Sequence, residues 1–287
     1  MNNFPKILVT GAAGQLGSEF RQLVKSSPEF TFVFLTRDEL TIENEQSVDQ
    51  VFRLHRPDYC INCAAYTAVD KAEEDKEQAF LINAKAVGIL AKACETYGSK
   101  LIHFSTDYVF DGTATEPYTE DAATNPVNAY GASKLAGEQQ ALAIHSPVII
   151  LRTSWVYSAF GRNFVKTMLS LLKQKTDINV VNDQFGSPTY AADLANTTMH
   201  IIAGEQWTPG IYHYCNQGII SWFDFAKAIR EFAGLTCKIN PIPTQAYPTP
   251  AKRPGYSALD TTKIKTVYHI PLRNWRESLQ RCLQQLT

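Results

Sequence analysis

No apolar stretch in this 287-residue chain approaches the ~20 consecutive residues of a membrane-spanning helix, so no span is expected. A surplus of either charge is also missing. Twenty-seven basic against 28 acidic residues leave a formal net charge of −1, which gives no general electrostatic case for nucleic acid or an anionic membrane. Six cysteines are too few for a disulfide framework in a chain of this length. Cys60 and Cys63 form the only C-x-x-C. They lie inside a strand-like run where positions i and i+3 face opposite sides, which reads as core cysteine rather than a redox or metal pair. Repeats, low-complexity tracts and an evident linker are absent as well. Met1-Asn2-Asn3-Phe4-Pro5-Lys6 lacks a signal-peptide pattern, so a cytoplasmic location is expected.

What remains is an ordinary soluble composition, 45% hydrophobic and 19% charged, and enough length for one large or two modest domains. Lys6–Thr10 is a short apolar run of the kind buried in parallel sheets. Gly11-Ala12-Ala13-Gly14-Gln15-Leu16-Gly17 follows it, and a helical pattern follows that. A strand, a glycine turn and a helix form the context of a dinucleotide site, in which backbone approaches pyrophosphate and a helix N-terminus faces it. Thr31–Thr36 reads as the second strand, with Arg37 just beyond its end and Asp38 one step later. An arginine there suits a 2′-phosphate and a carboxylate suits a ribose hydroxyl. NADPH is therefore expected, with NADH as the alternative.

Strands and helices keep alternating through a helix over 47–55, strand 59–64, helix 79–97 closed by Gly98, strand 101–104 and strand 148–152. That alternation predicts a doubly wound parallel sheet. Beyond it come helices over 164–173, 193–202, 222–232 and 275–286, a strand over 210–214, and a proline-studded loop over 241–254. The expected division is a dinucleotide-binding unit of 1–152 and about 189–217, and a smaller mixed α/β substrate unit of about 153–188 and 218–287.

Asn128-Ala129-Tyr130-Gly131-Ala132-Ser133-Lys134 opens a helical run. Residues four apart share a helix face, so Tyr130 and Lys134 present a phenol and an ammonium side by side. A free phenol titrates near ~10, and an adjacent cation favours its ionised form. The pair is a candidate proton donor, although such spacing also arises by chance on any helix. Ser105 and Thr106 add hydroxyls at a strand's carboxyl end, where they either meet a ligand or cap the strand.

The glycine pattern, Tyr130-x-x-x-Lys134 and the Ser105/Thr106 hydroxyls together resemble the extended short-chain dehydrogenase/reductases, mostly nucleotide-sugar enzymes. Within them the chain is similar to the dTDP-rhamnose-forming reductases from Lys6 essentially to its C-terminus. The strings that carry this likeness begin at Ala64-Ala65-Tyr66-Thr67, Ser105-Thr106-Asp107-Tyr108, Arg152-Thr153-Ser154-Trp155, Asn182-Asp183-Gln184-Phe185 and Pro250-Ala251-Lys252-Arg253-Pro254. The resemblance implies NAD(P)H-dependent reduction of the C4 keto group of a dTDP-linked 4-keto-6-deoxysugar, serving polysaccharide synthesis. It implies Thr106, Tyr130 and Lys134 as catalytic residues, with Lys134 also holding the nicotinamide ribose. It implies Gly11, Gly14, Gln15, Leu16, Gly17, Ala64, Ala65, Tyr66 and Thr67 around the dinucleotide, alongside Arg37. Asp107, Trp155 and Arg253 would join Thr106 on the sugar nucleotide. Trp155 alone also reads as a core aromatic.

Some family members dimerise around Mg²⁺ held by three acidic side chains. Glu19 matches one of these positions, the second reads Ala192 with Asp193 one residue off, and Leu283–Thr287 offers no third. One carboxylate is a poor Mg²⁺ site, so no metal and a monomer or weak homodimer are expected. A sugar dehydratase of the superfamily would need an acid and then a carboxylate base after the threonine, but Asp107 is followed by Tyr108. The alternatives left open are another 4-ketoreductase, an epimerase that retains its NAD⁺, and a non-catalytic NADP-binding regulatory subunit.

Overall fold

The structure is a computed structural model describing residues 4–286. Met1, Asn2, Asn3 and Thr287, which fall inside the expected domain bounds, lie outside the described residues. A parallel six-stranded sheet runs through the centre. Its strands are β1 (Lys6–Thr10), β2 (Thr31–Leu35), β3 (Tyr59–Asn62), β4 (Lys100–Thr106), β5 (Val148–Thr153) and the strand Gly210–His213. In space the order is Gly210–His213, β5, β4, β3, β1, β2. The chain winds one way from β1 to β2 and the other way from β1 through β3, so β1 and β3 flank the switch point. Ligands bind beyond the carboxyl ends of such a sheet, at that crevice.

The apolar strands build two cores at once because successive side chains leave opposite faces. Ile7, Val9, Ile61, Ile102, Ile149 and Leu151 point into one. Leu8, Cys60, Leu101, Val148 and Ile150 point into the other. Cys60 belongs to the second core and Cys63 packs against the first, and both are free thiols. A third core gathers Met168, Phe225, Ile229 and Leu279 from the helices Phe164–Gln174, Trp222–Phe232 and Trp275–Gln284, with Tyr157 from the short strand Val156–Tyr157.

The structure departs from the sequence expectation in three places. The helix expected from Ala79 begins at Lys76 and passes through a π-helical turn, Leu81–Lys85, before Ala86–Tyr97. That widened turn carries the buried Asn83, whose side chain bonds the main chain of Tyr66 and the hydroxyl of Ser133. Lys238–Ile242, which runs into the start of the loop expected over 241–254, forms a strand parallel to Asp177–Val181. Pro241 is tolerated because a two-stranded sheet has a free edge on either side. Ile264, Tyr268 and Ile270, expected with the second unit, are buried in the first core of the main sheet. Among the described residues, no helix is long and apolar enough to cross a membrane.

Candidate active site

The turn after β1 is shaped by contacts that only glycine permits. Gly11 has φ +61°, and a Cβ there would lie 2.6 Å from the Ala64 nitrogen. A Cβ on Gly17 would lie 2.5 Å from the Gly11 carbonyl, so Gly17 serves by letting the helix pack onto the turn. The helix Gln15–Leu23 starts after Gly14 with no side-chain cap. Its first N–H groups therefore face the crevice as an anion-binding end. Gly11, Gly14, Ala64, Ala65, Tyr66 and Arg37 line a trench of about 580 Å³ there. Asp38 does not line it, and the carboxylate of Glu39 is engaged, accepting from Thr36 N at 2.8 Å and Thr36 Oγ1 at 2.9 Å. Sequence reasoning did not foresee that Glu39 would close the strand end.

The trench runs into a cleft of about 640 Å³ at the carboxyl ends of β4 and β5, sharing Gly14 and Ala65 with it. Gln15, Leu16, Thr67, Thr106, Asp107, Tyr130, Lys134 and Trp155 all line this cleft, as expected. The helix Ala129–Ile144 delivers Tyr130 and Lys134, and its N-cap Asn128 accepts from Gly131 N at 2.8 Å. The Ala129 N–H is held by Glu73 at 2.8 Å, and the same helix packs Gly131 against the Tyr108 carbonyl. Thr106 Oγ1 donates to Asp107 Oδ1 at 3.0 Å and also engages the Tyr130 phenol. Ser105 Oγ is buried with no partner of its own.

The electrostatics correct one expectation. Lys134 does not depress the phenol. Burial pushes Tyr130 up to about 12, reinforced by the Asp107 charge and only partly offset by the Thr106 hydrogen bond. Lys134 is itself pulled down to about 8 by burial, with Glu138 acting weakly the other way. Its Nζ donates to the Phe104 carbonyl at 2.6 Å and lies 3.3 Å from His103 Nε2. Burial likewise lifts Asp107 to about 6. In the free protein the phenol therefore keeps its proton at neutral pH.

Trp155 is both strained and clamped. Its φ of 48° lies in the left-handed region, costly for a bulky side chain and common at functional sites. Its indole stacks on Trp222 with centroids 3.6 Å apart and planes 9° from parallel. Trp222, Asn163 and Arg162 also line the cleft and were not singled out from sequence. For Trp222 a signal existed, since Ser221 and Asp224 form a capping box that fixes the start of its helix. Arg253 lines neither cavity. It pairs with Asp70 at 2.8 Å, while its Nη1 is buried without a partner and its charge reaches Tyr108.

The residues do not fit a divalent cation at the acidic position. Glu19 accepts from Ser158 at 2.6 Å, and Asp193 is taken by Arg281 at 2.7 Å and by Ser278. Among the described residues, no group of three His, Cys, Asp or Glu side chains could hold a metal.

Residues 5–287 match the family model described as the RmlD substrate binding domain. A dTDP-4-dehydrorhamnose reductase of Burkholderia thailandensis is 42% identical over 98% of this chain and 99% of its own. A solved dTDP-4-dehydrorhamnose reductase from Clostridium acetobutylicum superposes with a TM-score of 0.94 at 41% identity, covering 98% of this chain and 99% of that one. The reductase from Bacillus anthracis, solved in complex with NADP, gives 0.95 at 39% identity over the same shares.

Proposed function

Because the chain belongs to the RmlD substrate binding domain family, we propose that it reduces the C4 keto group of dTDP-4-dehydro-L-rhamnose to give dTDP-L-rhamnose with NADPH. The observation that carries this reading is one cleft holding Thr106, Tyr130 and Lys134 beside an uncapped helix N-terminus. Bound NADPH supplies the hydride. The chain's own part is to bind, orient and move one proton.

Thr106 and Tyr130 line the same cleft in the free protein, and both can turn to the C4 oxygen of a seated sugar. Tyr130, protonated at neutral pH, gives its proton to that oxygen as charge develops there. Lys134 holds the nicotinamide ribose and stabilises the phenolate left behind. Ser105 Oγ and Asp107 take sugar hydroxyls, and Trp155 packs on the deoxysugar. Arg253, held by Asp70 and close to Tyr108 of the cleft wall, is assigned to an anionic part of the sugar nucleotide, which it reaches only by turning toward the cleft. Gly11, Gly14, Gln15, Leu16, Ala64, Ala65, Tyr66 and Thr67 hold the dinucleotide. Dehydration is disfavoured because Tyr108 stands where a carboxylate base would be needed, and burial raises its pKa further.

The assigned division is a dinucleotide-binding unit and a sugar-nucleotide-binding unit, with Ile264–Ile270 packed on the former. A cytoplasmic monomer or weak homodimer completes the proposal.

Arg37 is assigned to the 2′-phosphate of NADPH, supported by its place on the trench and the engagement of Glu39 elsewhere. Charged hydrogen bonds are worth ~1.5–3 kcal/mol, so Arg37→Ala should raise the KM for NADPH about tenfold or more. The KM for NADH should barely move. An equal response to both cofactors, or a wild-type preference for NADH, would remove Arg37 from this role.

Trp155→Ala should weaken sugar-nucleotide binding several-fold while NADPH binding stays within about twofold, since the indole lines the cleft and not the trench. Equal losses for both ligands in titration calorimetry would mark Trp155 as a core residue instead. The reaction itself is tested by steady-state NADPH consumption with dTDP-4-dehydro-L-rhamnose against its UDP and D-sugar counterparts. Failure of the first to be consumed, or no preference for it, would contradict the assignment.

A further inference from the structure

Behind Lys134 a chain of polar groups crosses from the carboxyl ends of β1 and β3 to the middle of β4. Thr10, Asn62 and His103 are all essentially inaccessible to solvent. Thr10 Oγ1 donates to Asn62 Oδ1 at 2.7 Å, and the Ala64 main-chain N–H donates to the same oxygen at 3.2 Å. A backbone N–H cannot turn round, and although this one also reaches Thr10 Oγ1 at 3.4 Å, its nearer contact with the Asn62 oxygen sets the amide nitrogen toward His103. That nitrogen lies 3.1 Å from His103 Nδ1, which must therefore accept. A neutral imidazole accepting at Nδ1 carries its proton on Nε2. Nε2 faces Lys134 Nζ at 3.3 Å. An ammonium has three donors and no acceptor, so it cannot receive that N–H. An uncharged amine can. Its lone pair takes the His103 proton, one N–H goes to the Phe104 carbonyl at 2.6 Å, and one remains for a ligand.

We propose that Asn62 and His103 are positioning residues that favour the uncharged amine of Lys134 in the ligand-free protein, so that the site loses its cation as the pH rises into the mildly alkaline range. Protonation of Lys134 consumes its lone pair and breaks the His103 contact, which ties the charge of the site to pH. The proton comes from solvent, and no bond to carbon or phosphorus changes. Of the groups around Lys134, Glu138 is the charge that favours the ammonium. Tyr130 is a protonated phenol, Glu138 is bonded by Arg152 at 2.7 Å, and Asp107 is bonded by Thr106. Cys63, just past the end of β3, is kept as a thiol by burial, and Arg162 lines the same cleft. Burial lowers the pKa of both His103 and Lys134, in the same sense as the geometry.

The inference concerns the site of the proposed reduction, and it rests on that reading only for the reaction the lysine serves. Its test uses the free protein and no turnover, so the two can fail separately. With lysine labelled with ¹³C at Cε, the Lys134 signal, identified by its loss in Lys134→Arg, should titrate with a midpoint near 8. Long-range ¹H–¹⁵N spectra should show the His103 proton on Nε2. In Asn62→Asp the new carboxylate oxygen facing Nδ1 accepts, which moves the proton to Nδ1 and turns Nε2 into an acceptor for an ammonium. The Lys134 midpoint should then rise by a pH unit or more, a tenfold change in its proton affinity. A wild-type Lys134 that stays an ammonium up to the ~10.4 of ordinary lysine would overturn the proposal. So would a His103 proton on Nδ1 in the wild-type protein. Both wild-type measurements stand even if the variant does not fold.

Discussion

Tyr130→Phe is expected to cut turnover by at least ~10²-fold, and up to ~10⁴-fold, while NADPH binding stays nearly unchanged. The substitution deletes one transferable proton and leaves the ring, which packs edge-on to Tyr108 with centroids 5.9 Å apart. It leaves Lys134 and its contacts to Phe104 and His103 in place. The phenol keeps its proton through burial, which lifts its pKa to about 12, and lies beside Thr106 in the cleft. Turnover within a few-fold of wild type would take Tyr130 out of the mechanism. Loss of NADPH binding in parallel would show instead that the substitution had disturbed the cleft.

Arg152→Ala should lower stability by about 3–5 kcal/mol, because it leaves a buried carboxylate without its cation. Glu138 lies one helical turn beyond Lys134, and its side chain is 1% exposed. Arg152, from β5, meets it with Nε at 3.0 and 3.2 Å and Nη2 at 2.7 Å. The pair thus ties the helix that carries Tyr130 and Lys134 to the sheet. In a chain of this size each kcal/mol moves the melting temperature by about 2–4 °C, so a fall of roughly 6–20 °C is predicted. Replacing both partners by methionine should recover much of that loss, since the desolvation of two charges is then avoided. A fall of only a degree or two for Arg152→Ala would mean that water reaches the pair.

The sheet was legible because each central strand is a short apolar run whose two faces are both buried, and such runs carry their own signature. The helix Trp222–Phe232 was read with its true bounds for a related reason, as its apolar stripe and its Ser221 cap are local. The glycine turn and the Tyr130–Lys134 spacing were also local, and these place most of the cleft.

What was not legible depends on partners distant in sequence. Lys238–Ile242 is a strand only because Asp177–Val181 lies beside it, and its proline argued against one. The π-helical turn at Leu81–Lys85 carries Asn83, which bonds Tyr66 and Ser133, and neither partner is near in the chain. The raised phenol and lowered lysine pKa values arise from burial, which no i, i+4 spacing reveals. Glu39 turning back onto Thr36 removed a carboxylate from contention at the ribose, and only the folded loop shows that.

The central claim is that this cleft delivers hydride to C4 of a keto sugar nucleotide while Tyr130 protonates the oxygen. Its most direct test is a single turnover of dTDP-4-dehydro-L-rhamnose with NADPH deuterated at nicotinamide C4, read by mass and NMR of the isolated product. The account predicts dTDP-L-rhamnose with deuterium at C4 alone, when the cofactor carries the label on its transferred face. A product without deuterium, or with it at another carbon, would contradict the account.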